Sequence, residues 1–339
     1  MASMTSMSTM STTTSLSYTQ AVAATSLPSA PPAPNTHTLH TCTVTSSSSY
    51  SAIDYLVYLP LSWSPNSSSP SPVVLFLHGA EEVNKGKVLC RAANGRKSLV
   101  DDGAWRLRTV PGMLPALVDQ INDGDDDASD TTTTATTFPF ILVSPQCPKA
   151  VRFGSSTALM DDIVRLVSED VCGKYNGDVS NVFVTGLSMG GYGTWEIATR
   201  HSTFFKAAAP ICGGFSGFQE SILNLQGVWV FHGREDSIVP CSQSDLAVKQ
   251  LKKAVEMQEM FGLSLLDLEV ENNPEQEQEQ AEQDQQHVQK ARARPPIEIK
   301  YTRYDSSPSP APNMRGHGSW IQAYFESDLL QWFYGMTTQ

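Results

Sequence analysis

The chain has 339 residues, of which 40% are apolar, and a formal net charge of −12 at pH 7. That length can bury a substantial core in one domain or two. No basic patch suits a nucleic acid, and no apolar run reaches membrane-spanning length. The acid excess collects in two stretches, 122–130 and the Glu/Gln-rich 269–289, so the remainder is nearer neutral and both read as solvated loops. Six cysteines without Cys-x-x-Cys spacing indicate neither a zinc site nor a redox pair, and reduced, mostly buried thiols are expected.

In chain order, residues 1–49 are Ser, Thr, Ala, Pro and Met with few large apolar side chains; the first acid is Asp54 and the first Lys or Arg is Lys85. Such a segment cannot offset its ordering entropy and is expected to be disordered. It lacks the charged and apolar regions of a signal peptide, so a cytoplasmic location is expected, with organelle targeting through this Ser/Thr-rich segment as the alternative. A single domain follows over residues 50–337, with low-complexity insertions at about 122–137 and 269–294. Strands are predicted at Tyr55–Leu59, Val73–Leu77, Phe140–Val143, Val182–Thr185, Ala207–Ile211, Val228–Phe231 and Ile297–Tyr301. Leu159, Ile163, Leu166, Val167 and Val171 recur at helical spacing, a second helix runs from Met189 to about Arg200, and a third helix-like stretch spans Trp320 to Trp332. Strands alternating with helices imply an α/β fold, a mainly parallel central sheet with helices on both faces. Ligands bind such sheets at the carboxyl edge.

Four segments place reactive groups at that edge. Gly186-Leu187-Ser188-Met189-Gly190 joins a strand directly to a helix, and small residues two before and two after the serine let the backbone pack tightly around a projecting hydroxyl. By itself the pattern is weak, with roughly 0.1 to 0.2 chance occurrences expected in this composition. Its company strengthens it. The strand Val228–Phe231 runs into Gly233-Arg234-Glu235-Asp236-Ser237-Ile238-Val239-Pro240. Asp236 is the candidate acid because it opens a turn where a short carboxylate also bonds backbone amides; Glu235 is its rival. Of seven histidines, His317, between Gly316 and Gly318, follows the acid within foldable sequence and is the candidate base. His232, in the turn before Asp236, reads as loop support. The strand ending in His78-Gly79-Ala80 offers the Ala80 amide, with that of Met189, as an oxyanion hole. Trp320 and Trp195 are candidates for a substrate pocket, and both also read as core. Cys147 and Cys212, at strand ends beside the site, read as packing residues.

Together with Pro145-Gln146-Cys147-Pro148 and Ala209-Pro210-Ile211-Cys212-Gly213-Gly214, these motifs resemble the phospholipase/carboxylesterase-type α/β-hydrolases. More narrowly, they resemble the branch often labelled predicted peptidase, related to the dienelactone hydrolase and prolyl oligopeptidase catalytic folds. The resemblance spans about residues 50 to 335. It implies the α/β-hydrolase fold and a serine hydrolase needing no cofactor or metal, with Ser188, Asp236 and His317 at the triad positions. The sequence departs from the family at the oxyanion loop, where Glu81 replaces a glycine. The expected substrate is a small-molecule acyl ester, with short to medium acyl chains, thioesters or lipids all compatible. A serine peptidase and a binding protein on a hydrolase scaffold are the alternatives.

Overall fold

The computed structural model describes residues 37–44, 49–60, 62–80, 83, 139–215, 217–261, 296–325 and 327–338. Eight strands form one sheet in the order β1-β2-β4-β3-β5-β6-β7-β8. They are β1 His37–Thr43, β2 Ala52–Tyr58, β3 Ser71–Leu77, β4 Ile141–Pro145, β5 Gly177–Leu187, β6 Ala207–Ile211, β7 Gly227–Gly233 and β8 Glu298–Tyr304. β2 is antiparallel to both its neighbours, and every pairing from β4 to β8 is parallel. Parallel neighbours require crossovers; among the described residues α1 Thr157–Arg165 lies between β4 and β5, α2 Met189–Arg200 between β5 and β6 and α3 Ser242–Phe261 between β7 and β8, while α4 Ser319–Phe325 and α5 Leu329–Met336 follow β8.

The sheet divides two apolar cores. Val73, Leu75 and Leu77 of β3 and Val182 and Val184 of β5 pack with Leu159, Ile163, Trp195, Ala247 and Leu251 on the face covered by α1, α2 and α3. The intervening residues Val74, Phe76 and Phe183 pack with Trp320, Tyr324, Leu329 and Phe333 on the face covered by α4 and α5. Strands buried on both faces explain why these segments read as unbroken apolar runs. The architecture is the α/β-hydrolase fold that the motifs implied.

Three expectations need correction. Residues 37–43 were expected to be disordered, yet they form edge strand β1, paired with β2 at all seven positions. Three Thr side chains favour extended backbone, and His40 packs its ring against Tyr55 and Tyr175; with Leu39 as the one large aliphatic residue, hydrophobicity gives little sign of it. The stretch Trp320–Trp332 is two helices rather than one, broken around Asp328, the N-terminal cap of α5. Helix α3 was not anticipated; its buried stripe of Ala247, Val248, Leu251 and Ala254 is built largely from small residues, which mutes the apolar signal. The crossover from Leu159 to Val171 is helical as predicted, but α1 continues through a π-helical turn at Leu166–Cys172. The five-residue spacing of Leu166 to Val171, and of Val167 to Cys172, matches that wider turn and keeps all four side chains buried. Both insertions lie outside the described residues.

Candidate active site

Ser188 occupies the turn between β5 and α2 with φ 52° and ψ −116°, backbone that a residue with a Cβ adopts at a cost of roughly 1–3 kcal/mol. Tertiary packing holds it there. Its amide donates to the Ile211 carbonyl at 3.0 Å, and its carbonyl accepts from Tyr192 N at 3.0 Å as α2 begins. Gly190 permits the approach of α2 to β3: a Cβ there would lie 1.9 Å from the Leu77 carbonyl oxygen and 2.8 Å from that of His78. The elbow is thus wedged against the end of β3, the strand that leads to Ala80.

Asp236 and His317 stand on two loops that are bonded to each other. The Ser237 amide donates to the Arg315 carbonyl at 2.9 Å. Gly316 has φ +66° and passes so close that a Cβ would sit 2.7 Å from the Glu235 carbonyl, which is why glycine precedes the histidine. Oδ1 of Asp236 accepts from the amides of Ile238 and Val239, both at 2.9 Å, the predicted turn. Its Oδ2 accepts from His317 Nδ1 at 2.7 Å. Since a carboxylate only accepts, Nδ1 carries the proton and Nε2 is free to accept from Ser188 Oγ, 2.9 Å away. The rival Glu235 is exposed. Burial works to raise the Asp236 carboxyl, but hydrogen bonds from His232 and His317, the charge on His317 and the Val239 amide outweigh it and hold the group at about 2. Asp236 is therefore ionised throughout the neutral range.

His78 organises the loop after β3. It is buried, its Nδ1 lies 2.7 Å from the Gly79 carbonyl, and its Nε2 accepts from the Cys147 amide at 2.9 Å. Both bonds require the neutral ring with the proton on Nδ1. Burial pushes its pKa down to about 4, partly opposed by the bond to Gly79. Because the Gly79–Ala80 peptide is trans, its carbonyl and the Ala80 N–H point to opposite sides. With the carbonyl held by His78, whose ring accepts from Cys147 just past β4, the Ala80 N–H points away from that ring. Met189 opens α2, where the first amides have no intrahelical acceptor.

Trp320 is 1% exposed and sets its ring edge against His317 at 5.4 Å, so it backs the base from the α4 side. Trp195 is 2% exposed and packs on Phe215; it lines a cavity of about 180 Å³ with Phe215, Phe218, Glu196, Thr199 and Gln219. Trp195 stands seven residues along α2 from Ser188, roughly 10 Å by helical rise. Cys212 packs in the core beneath α4 and α5, as read from sequence, and its thiol also comes near Asp236 and His317: ligand atoms of the three lie within 4.8 Å of one another. Burial, with the Asp236 charge adding to it, pushes that thiol well above its ordinary value. With its thiol protonated and the Asp236 and His317 atoms bonded to each other, the set suits proton transfer better than a cation. The five described cysteines are free thiols, and among the described residues no helix is long and apolar enough to cross a membrane.

A model of the Esterase family, described as "Putative esterase", matches residues 46–307. The chain belongs to this esterase family. The match takes in Ser188 and Asp236 and ends before His317, so the base rests on geometry. Among curated proteins, the chain is 34% identical over 91 residues to "Probable feruloyl esterase C" of Aspergillus terreus (strain NIH 2624 / FGSC A1156). That stretch is 26% of this chain and 31% of the relative, so only about a third of the relative's length is matched. Among solved structures, a thermostable esterase superposes with a TM-score of 0.52 at 23% identity, over 89% of this chain and 64% of that one. This likeness establishes a shared fold for the esterase-family chain.

Proposed function

We propose that this chain is a serine hydrolase that cleaves carboxylic esters through an acyl-serine intermediate. The observation that carries the reading is the buried hydrogen-bond chain from Ser188 Oγ through His317 to Asp236, at 2.9 and 2.7 Å. Ser188 Oγ attacks the ester carbonyl while His317 Nε2 takes its proton, and Asp236 fixes the tautomer and stabilises the imidazolium. The amides of Ala80 and Met189 hold the oxyanion; the Ala80 N–H, opposite the Gly79 carbonyl that His78 holds, supports that assignment. His317 returns the proton to the departing alcohol. Water then adds to the acyl-serine with the same proton relay, releasing the acid and restoring Ser188.

Membership in the esterase family supports an ester over an amide. An amide leaving group is poorer and needs extended binding to position the scissile bond. Short to medium acyl esters are the proposed substrates, and the segment similar to a probable feruloyl esterase supports including hydroxycinnamate esters among those tested. The free thiols accord with a reducing, cytoplasmic setting. The test is kcat/KM across p-nitrophenyl acetate and butyrate, methyl ferulate and a peptide amide. Ester values well above the amide value are expected; a peptide amide that exceeded every ester would replace this reading with a peptidase.

A further inference from the structure

Asp236 has a second histidine neighbour that the proposed reaction does not use. His232, near the end of β7, is fully buried. Its Nε2 lies 2.9 Å from the Val239 carbonyl and 3.3 Å from Asp236 Oδ2, and its Nδ1 lies 2.7 Å from Ser244 Oγ. A carbonyl only accepts, so Nε2 carries the proton, and in the neutral ring Nδ1 accepts from the Ser244 hydroxyl. One imidazole therefore ties together the end of β7, the far end of the acid loop and the first turn of α3. The same N–H also faces the carboxylate oxygen that accepts the hydrogen bond from His317 Nδ1.

We propose that His232 is a positioning residue for Asp236: it closes the acid loop through Val239 and, by donating toward Oδ2, limits how strongly that oxygen draws on His317. The inference rests on the reading of Ser188, His317 and Asp236 as the reaction centre. Its electrostatic consequence has a definite sign. A second donor spreads the charge of Oδ2. Without it the carboxylate stabilises the His317 imidazolium more strongly, and the rise of activity with pH moves to higher pH. The other titratable groups nearby do not confuse the measurement. Cys212 at the end of β6, Tyr324 of α4 beside it, and Cys241 next to the acid loop are all pushed upward by burial and stay neutral at neutral pH. Of the charged groups facing Cys241 besides Asp236 itself, Arg234 and Arg303 are exposed and Asp245 is half-buried, and Glu235 is exposed.

The test compares His232→Met, which removes the donors and keeps the bulk, with His232→Gln, which places an amide N–H where Nε2 sat. With p-nitrophenyl butyrate, the Met variant is expected to lose on the order of 10- to 100-fold in kcat with little change in KM, the scale seen when an outer partner of a reactive group is lost. The midpoint of its kcat/KM rise moves to higher pH. The Gln variant keeps most of the wild-type kcat and the wild-type midpoint. If the Met variant does not fold, His232→Asn replaces it, since that amide reaches Ser244 and not Asp236, and the same shift is expected. Variants that resemble each other, whether both active or both impaired with an unmoved midpoint, would overturn the inference while Ser188-dependent turnover of the wild type left the functional reading standing. A wild type without esterase turnover would overturn both.

Discussion

Glu235 and Asp236 are adjacent acids, and what separates them is where the backbone turns. Asp236 is drawn inward by two loop amides and two histidines, whereas Glu235 is exposed. Asp236→Asn should leave a folded protein slowed by about four orders of magnitude, because the amide cannot hold the Nδ1–H tautomer. Glu235→Gln should remain near wild type, and an inverted result in the same ester assay would move the acid by one residue. His78 yields a stability prediction. Its folded pKa of about 4 lies below the ordinary 6.5, so its contribution is fully present above pH 6.5 and is lost as pH falls toward 4. By linkage the loss approaches roughly 3 kcal/mol. Urea unfolding at pH 7 and pH 4.5 should therefore show a smaller pH dependence for His78→Asn than for wild type; equal dependence would mean that the ring is not held neutral. Residues with local signatures were legible in the sequence: a serine between glycines, an acid opening a turn, a histidine between glycines. The bond of His78 to Cys147 and the approach of Cys212 to Asp236 and His317 join residues far apart in the chain, and no local pattern announces them.

At the scale of elements, the β5–α2 elbow stores strain that the surrounding packing sustains. Ser188→Gly and Ser188→Ala should both abolish turnover, but glycine relieves the positive φ, so the Gly variant should be the more stable by about 1 kcal/mol. Equal melting temperatures would show that the turn is unstrained. Gly190→Ala should cost several kcal/mol or prevent folding, since its methyl would meet the Leu77 carbonyl, backbone that cannot rotate aside. The six interior strands, β2 to β7, were visible because burial writes them largely as apolar runs, and the part-buried edge strand β8 showed through Ile297, Ile299 and Tyr301. β1 escaped notice because an edge strand gains from backbone pairing and needs few large side chains. α3 escaped because its stripe is rich in alanine.

In the whole molecule, one sheet brings the ends of β3, β5, β6 and β7 together with the loop before α4, and so collects Ala80, Ser188, Cys212, Asp236 and His317 from across the chain. The strand–helix alternation made this convergence predictable, while the pairing order had to come from the structure. The Glu/Gln-rich tract 269–289 has no apolar periodicity, and lengthening or shortening a surface loop costs little entropy. Replacing it with a short linker should leave esterase turnover and melting temperature nearly unchanged; a folded but inactive deletion would show that the tract shapes the site. The central claim, that Ser188 is a nucleophile activated by His317, is tested most directly by a fluorophosphonate probe followed by mapping of the modified peptide. The account predicts a single adduct on Ser188, absent from Ser188→Ala and sharply slowed in His317→Ala. Equal labelling of wild type and Ser188→Ala, or no labelling of either, would contradict it.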